Sequence, residues 1–264
     1  MSDPVLLDVD DGVATITLNR PAKRNALSEG ISHGILDALA ELEEQGEARC
    51  LVVTGTQGSF CAGGDVGSMG DRIDGEPTLH ESVRGIRDVT SRVLEDLHGF
   101  YLPTVAKIDG VAFGAGANLA LACDVQLASA DAVISFGFRQ VGLGVDTGTS
   151  FFLPRAVGSN TAKELVFTGE LVDANRAEEI GLVNHVYPAE EFDERFDEFI
   201  EPIANGPTVG LRASKQALIR GFERDISDAM AFEAAAQAAV FESADHAEGA
   251  SAFLEGREAE FEGR

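Results

Sequence analysis

The 264-residue sequence has no tryptophan, three cysteines and only four lysines (Lys23, Lys107, Lys163 and Lys215). The cysteines, Cys50, Cys61 and Cys123, show no paired spacing, which argues against a disulfide framework or a cysteine metal motif and suits a reducing compartment. Twenty basic residues face 45 acidic ones, for a formal net charge of −25. Such a surface repels nucleic acid and anionic membrane, so neither is expected as a partner. The acids are spread along the chain rather than gathered in a tail, which makes disorder a poor explanation. Adaptation to high salt fits better, because screening there removes the self-repulsion. No apolar run is long enough to span a bilayer, and MSDPVLLDVDD lacks the regions of a secretory signal. A cytoplasmic location is expected.

Several motifs are missing too. After Gly114-Ala115-Gly116 the third-glycine position of a dinucleotide fingerprint holds Leu119. There is no GxxxxGK[ST], HExxH or GxSxG. The acidic run beginning at Asp8 would need glutamate at its twelfth position to bind calcium as an EF-hand, and Asn19 stands there. The five histidines (His33, His80, His98, His185 and His246) have no ligand spacing and read as surface residues. No metal or resident cofactor is expected.

What is present centres on Val105–Leu121. Val105 to Asp109 reads as a buried strand, Gly110 to Gly114 as a glycine-spaced turn, and Ala115 to Leu121 as the opening of a helix. A strand that turns into a helix through small residues leaves the first helical N–H groups unpaired, at the positive end of the helix dipole. An oxygen carrying negative charge is held well there. Ser59 to Asp65, after the buried strand 50–54, offers similar bare backbone beside Gly63 and Gly64. Two such donor sites brought together would make an oxyanion hole; each taken alone is equally a tight turn that needs glycine.

In chain order, Val5 to Leu18 alternates about Asp10-Asp11-Gly12 and predicts a β-hairpin. The loop 19–27 carries Arg20, Lys23 and Arg24, which suit an anionic ligand group or simply balance nearby acids. Ser28 caps a predicted helix to about Gln45, with Ile31, Ile35, Leu39 and Leu42 on one face. Residues 66–79 read as a mobile loop and 80–100 as one helix. Short strands are expected over 124–128 and 132–136. Asp146 is the only acid of a glycine-rich loop, 138–150, and is either the cap of the helix starting near Thr149 or a buried catalytic carboxylate. Helices are predicted at about 160–168, 174–180, 190–204, 208–222, 226–243 and 246–262. No internal sequence repeat is evident.

In combination, NRPAKRNAL (19–27), SFCAGGDV (59–66), PTVAKIDGVAFGAG (103–116), LALACDVQLAS (119–129), LPRAVG (153–158), AEEIGLVNHVYP (177–188) and EGASAFLEGREAEF (248–261) resemble the enoyl-CoA hydratase/isomerase, or crotonase, family. The resemblance covers essentially the whole chain. It implies an α/β fold, a crotonase-like spiral of repeated β-β-α units over 1–200, and a C-terminal helical segment over 201–264 that assembles a homotrimer or a dimer of trimers. It implies a coenzyme A thioester as substrate, with no separate cofactor. By resemblance, the N–H groups of Gly64 and Ala115 form the hole for the thioester oxygen, a kind of contact worth about 3 kcal/mol per donor. By the same resemblance Ala22, Lys23, Arg24, Ala62, Asp65 and Val66 match CoA-binding positions. Near the tail, Gly256 stands where relatives often have lysine.

The chain departs from the hydratases at the reacting end. Their two glutamates correspond to Asn118 and Gln140, and an amide neither gains nor loses a proton near neutral pH. The stretch VGLGVDTGTSFFLPR instead resembles relatives with one acid at Asp146, including Δ3,Δ2-enoyl-CoA isomerases and a ring-epoxide isomerase. In those a single carboxylate shuttles a proton between the α and γ carbons. An isomerase with Asp146 as its base is therefore expected. The alternatives are a hydratase with an atypical site, an aryl-CoA dehalogenase-like enzyme, and a non-catalytic acyl-CoA-binding homologue. The dehalogenases carry a histidine where this chain has Ser91, and the lack of tryptophan leaves a thin aromatic wall.

Overall fold

The computed structural model describes residues 3–65 and 78–264. The expected mobile loop 66–79 falls almost wholly outside them, as does Val66. Two sheets alternate along the chain. Strands β1 (Val5–Asp10), β2 (Val13–Leu18), β3 (Cys50–Gly55), β5 (Thr104–Ile108), β7 (Val125–Ser129) and β10 (His185–Tyr187) form a six-stranded sheet in that spatial order. Strands β4 (Ser59–Cys61), β6 (Val111–Phe113), β8 (Val133–Ser135) and β9 (Val172–Asp173) form a second sheet. The chain thus runs from one large-sheet strand to one small-sheet strand and then to a helix, and repeats. Successive turns pair in parallel in both sheets: β3 with β5 with β7, and β4 with β6 with β8. This is the expected β-β-α spiral, and it delivers the corners after β4 and β6 to neighbouring positions.

Local sequence explains most elements. Asp11 and Gly12 both have positive φ (45° and 78°), as a two-residue type I′ turn requires, and this fixes the β1–β2 register from Val5↔Leu18 to Asp10↔Val13. Helix α1 (Glu29–Gln45) starts where the Ser28 hydroxyl accepts from the Ile31 N–H at 3.3 Å and stops at left-handed Gly46. Its apolar face, Ile31, Ile35, Leu39 and Leu42, is buried in the main core with β2 and β3.

Four expectations need correction. Ser59 to Asp65 and Gly110 to Gly114 are not turns throughout, since each begins with a three-residue strand of the small sheet. Three residues are too few for an alternating pattern to show. The single helix expected over 80–100 is three segments: α2 (Leu79–Gly85), a π-helical stretch (Ile86–Ser91) and α3 (Arg92–Gly99). The helix expected to reach 262 ends at Glu255, where Gly256 turns left-handed; the tail after it is held by the buried Asp245 carboxylate, which accepts from the Glu262 and Gly263 N–H groups. His98 is half-buried rather than on the surface, with its ring edge-on to Phe151 and Phe152.

The remaining helices follow as expected. α4 (Ala115–Ala122) is buried along nearly its whole length. Next come α5 (Thr149–Val157), α6 (Ser159–Thr168) and α7 (Ala174–Glu179). α8 (Phe192–Ala204) crosses position 200 and lays Phe192, Phe196, Ile200 and Ala204 on Cys50, Val52, Val105 and Leu127 of the large sheet. α9 (Thr208–Gly221), α10 (Ile226–Val240) and α11 (Ala244–Glu255) complete the chain. Among the described residues no helix is long and apolar enough to cross a membrane.

Candidate active site

The site is assembled from four loops. The first is the cationic loop 20–25. Pro21–Lys23 make a single 3-10 turn, and Arg24 and Asn25 follow in the left-handed region (φ 47° and 55°). The fully buried Asn25 side chain holds this shape: its amide donates to Ser59 O at 2.6 Å and Thr56 O at 3.0 Å, and its carbonyl accepts from the Arg20 N–H at 2.9 Å. The Ala62 N–H donates to Arg24 O at 3.0 Å, and Arg20 pairs with Asp65 at 3.3 Å. Ala22, Lys23, Arg24, Ala62 and Asp65 are thereby brought together. Sequence reasoning missed the Asn25 clasp. Its only signal was an asparagine at the end of a basic loop, a residue type that tolerates the left-handed conformation Asn25 adopts.

The second and third loops meet at the two donor corners. Leu27 bridges to Gly64 in parallel fashion: the Leu27 N–H donates to Gly63 O at 2.7 Å and the Asp65 N–H to Leu27 O at 3.1 Å. In that pattern the paired residue's own N–H points away from the bridge. Ala115, at the first position of α4, has no preceding turn to donate into. Among the described residues neither the Gly64 nor the Ala115 N–H donates to a protein group. The corners touch closely. A Cβ on Gly63, whose φ is 93°, would lie 2.7 Å from Phe113 O and 3.9 Å from the Ala115 nitrogen; one on Gly116 would lie 2.2 Å from Cys61 O. Glycine at these positions therefore lets the two corners approach. Gly116→Ala is expected to push β4 off α4 at a cost of about 1–3 kcal/mol, read as a lowered midpoint by calorimetry; an unchanged midpoint would mean the corners move apart freely.

The fourth loop carries Asp146. The buried Asn118, one turn along α4 from Ala115, donates from its side-chain amide to Thr147 Oγ1 at 2.9 Å and Thr149 Oγ1 at 2.8 Å, and lies 3.2 Å from Asp146 O. Asp146 is half-buried, and its carboxylate accepts from the Thr147 hydroxyl at 3.1 Å. Gly148, at φ 84°, occupies the cap position of α5. The structure thus brings the Asp146 loop against Asn118 on the helix of Ala115. Gln140 lies instead in the 3-10 turn Phe138–Val141, with its amide donating to Gly169 O at 3.3 Å. Cys61, beside the donor corners, is no candidate nucleophile, because burial pushes its thiol up to about 11.

A spiral whose corners present paired unengaged N–H groups, with one carboxylate loop tied to the helix of the second donor, defines a class of acyl-transforming enzymes. The family profile described as "Enoyl-CoA hydratase/isomerase" matches residues 8–264, and the chain belongs to that family of enzymes. It is 35% identical to a "Probable enoyl-CoA hydratase" of Rhodobacter capsulatus, over 97% of each chain. It is 32% identical to the "1,2-epoxyphenylacetyl-CoA isomerase" of Escherichia coli, over the full length of both. A crystal structure described as a putative enoyl-CoA hydratase from Streptomyces coelicolor A3(2) superposes with a TM-score of 0.92 at 34% identity, covering 99% of this chain and 94% of that one. The crotonase-type fold is thereby shared with solved structures.

Proposed function

We propose that this enzyme is an enoyl-CoA isomerase that moves a double bond with a single carboxylate. The Gly64 and Ala115 N–H groups hold the thioester oxygen, where charge develops as a proton leaves the α carbon. Asp146 takes that proton and returns it to the γ carbon, so the 3-enoyl ester becomes the conjugated 2-enoyl ester with no atom gained or lost. Ala22, Lys23, Arg24, Ala62, Asp65 and Val66 hold the CoA portion, the cations lying by its phosphates. CoA belongs to the substrate, and the reaction needs no other cofactor. One observation carries the reading: the loop that bears Asp146 is tied through Thr147 and Thr149 to Asn118 of the helix of Ala115, while both hydratase acid/base positions are amides, Asn118 and Gln140.

The assembly proposed is a homotrimer, or a dimer of two, built through the C-terminal helices. In support, Leu218, Ile226, Met230, Phe253 and Leu254 on α9 to α11, and Phe222 just after α9, all stand exposed. The test of function is purified protein in molar salt given 3-enoyl-CoA and 2-enoyl-CoA separately, with products weighed by mass spectrometry. Conjugation of the 3-enoyl ester without mass gain is expected. Addition of one water to the 2-enoyl ester would establish a hydratase, as the names of relatives such as that of R. capsulatus suggest. Halide release from a haloaryl-CoA would mark the dehalogenase chemistry. Binding across an acyl-CoA panel with no turnover would mark a binding protein.

A further inference from the structure

The contacts that Asn118, Asp146, Thr147 and Thr149 make with one another assign the protons they share. A backbone carbonyl and a carboxylate only accept hydrogen bonds. The Thr149 hydroxyl, 2.9 Å from Asp146 O, must therefore donate to it, and the Thr147 hydroxyl, 3.1 Å from the Asp146 carboxylate, must donate there. Each hydroxyl has one hydrogen, so both must accept from Asn118, whose amide group has two to give. This settles which way the Asn118 amide faces. Its Oδ1 consequently turns to the other side, buried and without a partner among the described residues. A carboxylate at 118 would have no hydrogen for either threonine and would repel Asp146 O.

The backbone adds a second observation. Thr147 sits at φ 46°, a region where a β-branched residue is a true outlier. Glycine or asparagine would be relaxed there. Thr147 is also buried, at 6% exposure, so the strain is not relieved by solvent. Strained residues of this kind persist where surrounding contacts over-determine them, and they cluster at working sites.

We infer that Asn118 and Thr147 are positioning residues: the Asn118 amide, acting through the Thr147 hydroxyl, orients the Asp146 carboxylate for proton transfer. The inference rests on the isomerase reading above. It gives Asn118 a role of its own in place of a lost glutamate. The residue that removes one acid from the site supplies the two hydrogens that set the other acid in place. Reaction type and loop geometry are then encoded by one side chain.

Thr147→Val tests this with the least disturbance, since it keeps the volume and the branching and removes only the hydroxyl. With 3-enoyl-CoA as substrate, kcat is expected to fall about tenfold or more while KM stays within about twofold, because the aim of the base is lost and the thioester contacts are not. Thr147→Ser, which restores the donor, is expected to restore kcat. A support that is merely structural would not distinguish valine from serine in this way. Should Thr147→Val fail to fold, Thr147→Ala removes the same hydroxyl with less crowding at positive φ. Unchanged kcat in a folded variant lacking the hydroxyl, or a serine variant as slow as the valine one, would overturn the inference. Asp146→Asn, measured in parallel, separates the two levels: turnover retained there sinks the isomerase reading and the relay with it, whereas silence there with Thr147→Val unimpaired sinks the relay alone.

Discussion

Asp146→Asn is expected to lower kcat for 3-enoyl-CoA isomerisation by about 10³-fold or more, while acyl-CoA affinity changes only severalfold. The reason is that an amide keeps the shape of the side chain and its ability to accept from the Thr147 hydroxyl at 3.1 Å, yet has no basic site for the α proton. The thioester contacts proposed above are main-chain N–H groups at Gly64 and Ala115, and the cationic loop is held by Asn25; none of these is the altered atom. Binding and chemistry therefore separate. The measurement pairs a continuous assay of conjugation with calorimetric titration of a non-reacting acyl-CoA. Turnover near the parent rate would remove Asp146 from the mechanism. Loss of affinity in step with kcat would mean that the loop, rather than the proton, had been disturbed.

Asp124→Ala is expected to cost about 3–5 kcal/mol of stability, or about 10 °C in midpoint for a chain of this size, because it strands a buried cation. Lys215, on α9, has a side chain only 5% exposed, and its Nζ lies 2.8 Å from Asp124 Oδ2. It also donates to Leu102 O at 2.8 Å, while Asp124 Oδ2 accepts from the Thr104 N–H at 2.7 Å and the Thr104 hydroxyl at 2.9 Å. Four groups from the tail, from β5 and from the corner before β7 thus share one knot. Burial holds the Lys215 ammonium below its usual range, and Asp124 pulls the other way. Between its depressed value and the ordinary lysine value the folded chain binds fewer protons than the unfolded one, so stability rises with pH across that window. Removing Asp124 removes the opposing pull. The deficit of Asp124→Ala accordingly shrinks as pH rises toward the ordinary lysine value. Unfolding followed at fixed protein and salt concentration checks both statements. A loss below about 1 kcal/mol would place the pair with surface ion pairs in its worth. The double variant Asp124→Ala with Lys215→Met, which removes both charges, is expected to recover part of the loss.

Much of the fold is written locally. The β1–β2 register follows from Asp11 and Gly12, and α1 is bounded by Ser28 and Gly46, so both could be read without tertiary information. The small sheet could not, because Ser59–Cys61 and Val111–Phe113 exist only through their pairing with each other and with β8. The π-helical stretch Ile86–Ser91 interrupts a pattern that, as sequence, continues as one helix. The same division runs through the site. The donor corners were legible from their glycines, and Asp146 from its isolation in an apolar loop. Asn118 was legible only as an amide at a position of interest; that it is a donor to Thr147 and Thr149 depends on a loop 29 and 31 residues further on. Lys215 was conspicuous for its rarity, but nothing nearby in the chain announces Asp124.

The N–H groups at Gly64 and Ala115, unengaged among the described residues, belong to the main chain, and that has a consequence for how this enzyme can vary. Every amino acid except proline supplies the same N–H, so exchange of side chains at these two positions leaves the donors in place. An alanine scan is blind to them; Ala115 is already alanine. Their presence is guarded one residue away, by the glycines at 63 and 116 that permit the corners to meet. Side-chain chemistry around them is free to drift from one reaction to another while the donors, and the proposed grip on a carbonyl oxygen, stay constant. The change that reads this grip directly is an amide-to-ester replacement at 64 or 115, which deletes a single hydrogen-bond donor and leaves every side chain where it was.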